Sequence, residues 1–164
     1  MKILLAIDGS DCSKAAVHRV GGYGWPPDAH VRIITVDPPL GDSLVGAATG
    51  LSAYDELVRR QREEANANLV EAVAMLKHLA PNLMVTAELL EGAPKERIIE
   101  DARSWGADLI VVGSHGRGTF RSLFLGSVSL AVVVGAPCSV LVARDRRVEA
   151  SDQMQAFDQL PTAH

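Results

Sequence analysis

Several features that would settle a function at once are missing from this chain. Aromatic residues make up only 4% of it, which leaves few platforms for stacking single-stranded nucleic acid. Positive charge is in deficit, and a net charge of −4 lacks the basic footprint of a general nucleic-acid binder. No stretch reaches the ~20 apolar residues of a membrane span. The apolar start from Met1 to Ile7 is ended by Asp8, too soon for a secretory leader. Cysteine is scarce: Cys12 and Cys138 lie far apart and form no CxxC, so a cytoplasmic chain with reduced thiols is the plain expectation. Both standard phosphate loops are missing as well. No Gly-Lys-Ser/Thr exists for a Walker A loop, and Gly9 stands alone where a dinucleotide fingerprint needs GxGxxG. Gly116-Arg117-Gly118 supplies the first two glycines of such a fingerprint, but Arg121 stands where the third belongs. There is no internal repeat and no low-complexity segment.

What is present reads as one domain, since 164 residues suffice for a real core. Lys2 to Ile7 is an apolar run without alternation, as expected of a central parallel strand covered on both faces. Ser10 or Asp11 can cap a helix to about Val20, with Cys12, Ala16 and Val20 on one face and Gly21-Gly22 as its stop. Val31 to Val36 is a second strand, rich in β-branched residues. Asp37 to Ser52, with its prolines and glycines, reads as a long mobile loop. A long amphipathic helix follows from about Ala53 to Leu79, its apolar stripe made of Val58, Ala65, Leu69, Ala72, Leu76 and Leu79. The charged run Arg59 to Glu64 reads as its solvated face.

Met84 to Leu90 is the third strand. Pro94 opens the next helix, which buries Ile98, Ala102 and Trp105 and ends at Gly106. Leu109 to Val112, a helix over about Val128 to Val134, and the strand Ser139 to Ala143 complete the domain. Residues from Arg144 onward read as a polar, frayed tail. The alternation predicts an α/β fold: a single doubly wound five-stranded parallel sheet with helices on both faces. In such sheets a ligand sits at the carboxyl ends of the strands where strand order reverses.

Two loops look built for that place, Asp8-Gly9-Ser10 after the first strand and Gly113 to Gly118 after the fourth. Gly113-Ser114-His115-Gly116, nine further residues, then Gly126-Ser127 is the most informative pattern. Glycines just past a strand let the backbone approach a ligand, and Gly-Ser at a helix start offers free N–H groups and the positive end of a dipole. The residues alone suggest a nucleotide site, before any family is named.

This pattern resembles the G-x2-G-x9-G-[S/T] motif of nucleotide-binding members of the universal stress protein family. Ala6-Ile7-Asp8-Gly9-Ser10 looks like that family's opening signature, and Ala136-Pro137-Cys138-Ser139-Val140-Leu141-Val142 like its last strand. The resemblance covers Lys2 to about Arg144, giving a Rossmann-like, adenine-nucleotide α-hydrolase-like domain over 1–144 and a poorly ordered tail over 145–164. It implies an ATP-type ligand, with or without Mg, AMP or ADP being the alternatives. Ala6 and Ile7 would shape the adenine side, Asp8 would face the ribose or a metal-bound phosphate, and Val36 would bond adenine through its main chain. Val112 and Gly113 would pass the ribose. Gly116, Arg117 and Gly118 would wrap the phosphates, and Gly126, Ser127 and Val128 would cradle the terminal ones. It also implies a homodimer through the edge strand Ser139 to Ala143. No nucleic-acid or membrane partner is expected, and no metal cluster beyond Asp8 acting through a Mg-nucleotide.

Each assignment has a plainer counterpart. Asp8 can cap a helix or bond its own loop backbone. Ser127 can be only an N-cap, Arg117 a solvated side chain, His115 a loop residue without catalytic work. Cys12 reads as a small core residue and Cys138 as buried filler. The leading functional reading is a regulatory protein that binds ATP with at most slow hydrolysis, since no nucleophile–base pair is legible. The alternatives are a stress-protein dimer without nucleotide and, further off, an adenylating enzyme, whose SGGxDS loop is here Asp8-Gly9-Ser10-Asp11-Cys12-Ser13.

Overall fold

A computed structural model describes residues 1–39, 51–117 and 125–145. The elements alternate throughout: β1 (Lys2–Ile7), α1 (Asp11–Gly21), β2 (His30–Asp37), α2 (Leu51–Leu79), β3 (Met84–Glu91), α3 (Pro94–Trp105), β4 (Leu109–Gly113), α4 (Ser127–Gly135) and β5 (Ser139–Ala143). The five strands form one parallel sheet in the order β3-β2-β1-β4-β5. β1 lies at its centre, which is why Ile3, Leu4 and Leu5 are all fully buried and no alternation shows in the sequence.

The sheet is covered on both faces. On one, Ile3, Leu5, Ile33 and Val111 pack against Val17 and Val20 of α1 and Leu69 and Leu76 of α2. On the other, Leu4, Ile34, Ile110 and Val112 meet Ile98 and Ala102 of α3 and Val132 of α4. The stripe of α2 is buried at Ala65, Leu69, Ala72 and Leu76, whereas Val58 and Leu79, read as part of it, are exposed. Length explains the difference. A helix of 29 residues extends about 44 Å, and a strand of 8 residues only about 26 Å, so the amino-terminal part with Val58 runs past the sheet, while Leu79 at the other end lies against Gly21 of α1. Trp105 is half-buried rather than buried, with the His30 ring edge-on to it at 5.2 Å.

From β1 the chain turns to one side through β2 and β3, then crosses to β4 on the other side. Strand order therefore reverses between β1 and β4, and a crevice opens at their carboxyl ends. The loop residues 40–50 and the tail beyond 145, read above as mobile and frayed, lie outside the described residues.

Candidate functional site

At that crevice lies a cavity of about 410 Å³. Ala6, Ile7, Asp8, Val36, Val112, Gly113, Gly116, Arg117, Gly126, Ser127 and Val128 all line it. Gly118 and Arg121 fall outside the described residues. His115, inside the loop expected there, lines it too; so do Ser13, Ile34, Pro94, Ile98 and Ser129, which sequence reasoning had not placed there. A signal for some existed: Ile34 shares a strand face with Val36, and Pro94 and Ile98 share a helix face four residues apart.

The first loop is held by its own polar groups. Asp8 Oδ1 accepts from the main chain of Ser10 at 3.0 Å and from its hydroxyl at 2.6 Å. Ser10 is the N-cap of α1, its Oγ accepting from Ser13 N at 3.2 Å, so neither Asp8 nor Asp11 fills that role. The other oxygen, Asp8 Oδ2, accepts from the N–H of Arg117 at 3.2 Å and so ties the two loops together.

The glycine motif serves the protein's own packing before any ligand. A Cβ on Gly113 would stand 2.8 Å from Cys12 C and 2.9 Å from Ser13 N, so the residue is small to let α1 close on β4. A Cβ on Gly116 would lie 2.6 Å from Asp8 Oδ2. Gly126 is the N-cap of α4, in extended conformation and without a side-chain cap bond, and Ser127 is the first helical residue rather than the cap. Ser129 fixes this helix start, its hydroxyl donating to the carbonyl of Gly113 at 2.7 Å and lying 3.1 Å from that of Ser114. The N–H groups of Ser127 and Val128 have no acceptor within the helix, and they stand at the positive end of its dipole beside the cavity.

Arg117 is neither an isolated solvated side chain nor directed solely at the cavity. Its Nε donates to the carbonyl of Asp8, and its guanidinium stands 2.9 Å from Glu64 of α2. A second hollow of about 500 Å³ adjoins the first under α2 and shares Asp8, Val36, Pro94 and Arg117 as walls. The charged face of α2 is solvated only in part. Arg59 pairs with Glu56 and Glu63, and Arg60 with Glu56, along the exposed surface. Hydrogen bonds from Arg60 and then Arg59 hold the Glu56 carboxyl below its ordinary range. Arg60, Gln61 and Glu64 also line the second hollow, where Gln61 donates to Asp37 and to the carbonyl of Pro38.

Ser114 Oγ and His115 Nδ1 stand 3.2 Å apart, the spacing of a nucleophile and its base. Ser114 is only 2% exposed and its hydroxyl is 3.4 Å from the buried Cys12 sulfur, so it sits behind the cavity wall. Among the described residues no three His, Cys, Asp or Glu side chains gather to hold a metal ion. Cys12 is buried, while Cys138 is half-buried and packs against the core; burial first, and then the Asp108 charge, push its thiol up. Among the described residues no helix is long and apolar enough to cross a membrane.

Comparison with known proteins yields concordant matches. The universal stress protein family model matches residues 1–144. A Thermus aquaticus relative, "Universal stress protein in QAH/OAS sulfhydrylase 3′region", is 37% identical over 142 residues, 87% of this chain and 97% of its own. Among solved structures, protein MJ0577 superposes with a TM-score of 0.73 at 25% identity, over 88% of this chain and 96% of that one. A universal stress protein in complex with cAMP superposes with a TM-score of 0.62 at 28% identity, over 88% and 96%.

Proposed function

The chain belongs to the universal stress protein family, and from that premise we propose that its crevice holds an ATP-type adenine nucleotide in a regulatory role. One observation carries the reading: the two ends of the 410 Å³ cavity differ in chemistry. Ile34, Val36, Ile98 and Val112 give it apolar walls that suit a base, and Gly126, Ser127 and Val128 bring a helix start without a side-chain cap bond. A relative in complex with cAMP supports an adenine ligand.

In this reading Val36 bonds the base through its main chain, with Ala6 and Ile7 beside it. Asp8, Val112 and Gly113 meet the ribose. Gly116 and Arg117, with Gly118, wrap the phosphates, and Gly126, Ser127 and Val128 receive the terminal ones. Asp8 is a single carboxylate, which fits a Mg ion carried in on a triphosphate rather than a resident site. ADP or AMP would use the same base slot. With Ser114 behind the wall, slow hydrolysis at most is in keeping with the residues at hand. A cytoplasmic location and a homodimer through β5 complete the reading; free thiols and an apolar edge strand favour them.

The test is to denature the purified protein and identify any released nucleotide, then to titrate it calorimetrically with ATP, AMP, GTP and adenosine. Binding of adenine nucleotides in preference to GTP is the expected result. No binding of any adenine compound at millimolar concentration overturns the reading.

A further inference from the structure

The Arg117–Glu64 pair joins the glycine loop to a helix that the nucleotide reading does not otherwise use. Arg117 stands in the wall between the two hollows. Its N–H goes to Asp8 Oδ2, its Nε to the Asp8 carbonyl and its terminal nitrogen to Glu64 at 2.9 Å. Both side chains of the pair are substantially exposed, 47% for Arg117 and 61% for Glu64, so the bond between them is weak and easily exchanged. A phosphate beside the helix start of α4 would offer the guanidinium a charge-assisted, bidentate partner, which is stronger.

The far side of the pair matters equally. From 53 to 64 no residue of α2 is buried; its buried anchors begin at Ala65 and run on through Leu69, Ala72 and Leu76. This half of the helix is tied down by polar contacts: Gln61 to Asp37 and Pro38, Arg62 to Glu91 at 3.0 Å, and Glu64 to Arg117. Loss of one such tie loosens the segment, because little apolar burial holds it.

We propose that Glu64 and Arg117 form a latch: a phosphate-bearing ligand in the crevice takes the Arg117 guanidinium from Glu64, and the amino-terminal half of α2 is released from the glycine loop. The latch rests on the nucleotide reading above and adds to it a means of signalling occupancy. It also makes Glu64 a determinant of affinity for phosphates but not for the nucleoside.

Titration of wild type, Glu64→Gln, Arg117→Ala and the double variant with AMP, ATP and adenosine tests it. Glu64→Gln should tighten AMP and ATP about two- to fivefold, the range of a surface ion pair, and leave adenosine unchanged. That gain should vanish in the Arg117→Ala background. Amide exchange over residues 53–64 should accelerate with saturating AMP and not with adenosine. A gain that persists without Arg117 means that Glu64 acts only through its charge, and it overturns the latch. So does an unchanged affinity, or exchange that ignores AMP. In each of those cases nucleotide still binds and the site reading stands; binding of neither nucleotide nor adenosine removes both.

Discussion

The carboxylate of Asp8 fills the place where a side chain on residue 116 would begin, its Oδ2 lying 2.6 Å from an ideal Cβ on Gly116. The neighbour at Gly113 is of another kind, since a Cβ there meets the main chain of Cys12 and Ser13 at 2.8 and 2.9 Å. One obstacle is the tip of a rotatable side chain, and the other is the backbone of a packed helix. Gly113→Ala should therefore cost about 1–3 kcal/mol as α1 is forced off β4. Gly116→Ala should cost less, about 1 kcal/mol, because the Asp8 carboxylate can turn aside at the expense of its bond to Arg117 N and some weakening of its bonds to Ser10. Urea denaturation without nucleotide measures both. Equal losses would mean that the two glycines serve one purpose, contrary to this account.

Ser129 offers a second contrast. Its buried hydroxyl ties the start of α4 to the end of β4 through Gly113, whereas Ser127 lines the cavity from the first helical position. Ser129→Ala should lower stability by about 1 kcal/mol and leave the Gly113 carbonyl without that donor. Ser127→Ala should barely change stability but, on the proposed function, weaken ATP binding, since only a hydroxyl of the cavity wall is lost. Denaturation midpoints and ATP titrations of the two variants separate the roles; a stability loss at Ser127 matching that at Ser129 would refute the assignment.

Much of this was legible in the sequence because each element is bounded by its own chemistry. Apolar runs without alternation mark β1 and β4 as inner strands, and Pro94 and Gly106 bracket α3. The two loops that border the cavity followed from the switch point such a sheet must have. What escaped was tertiary. The reason for Gly113 lies in a helix about a hundred residues earlier in the chain, which no local pattern announces. Ile98 read as a core residue and Ile34 as part of a strand; both are buried, yet the same side chains line the cavity where the core runs out beyond the strand tips. Gln61 and Glu64 sit in a run that reads as solvated, and only the overhang of α2 past β2 turns them toward a second hollow.

β5 is the outer strand beside β4, and its residues Val140, Leu141 and Val142 are only half-buried in the single chain. An edge of this kind, apolar and without an internal proline, tends to pair. Sedimentation at micromolar concentration should give the mass of two chains, shared across a two-fold axis. A single-chain mass at that concentration would show that the edge is protected in some other way.

Beneath α3 a carboxylate sits where water scarcely reaches. The Asp101 side chain is 10% exposed, 2.9 Å from Arg32, and its Oδ2 has no hydrogen-bond partner among the described residues. Burial raises its pKa above the ordinary 3.8; Arg32 and Arg97 oppose the shift, while Glu88, which shares Arg32, adds to it. A carboxyl whose pKa is raised on folding favours the folded state while it is protonated. Its contribution is full below the unfolded value and is lost as pH rises through the folded one. Asp101→Asn cannot ionise and escapes that loss, and Glu88 remains to pair Arg32. The stability of the variant relative to wild type should therefore grow as the pH rises from about 4 to about 7. Urea midpoints across that range measure the trend. A relative stability that falls with pH would mean that attraction to Arg32 outweighs burial at this carboxylate.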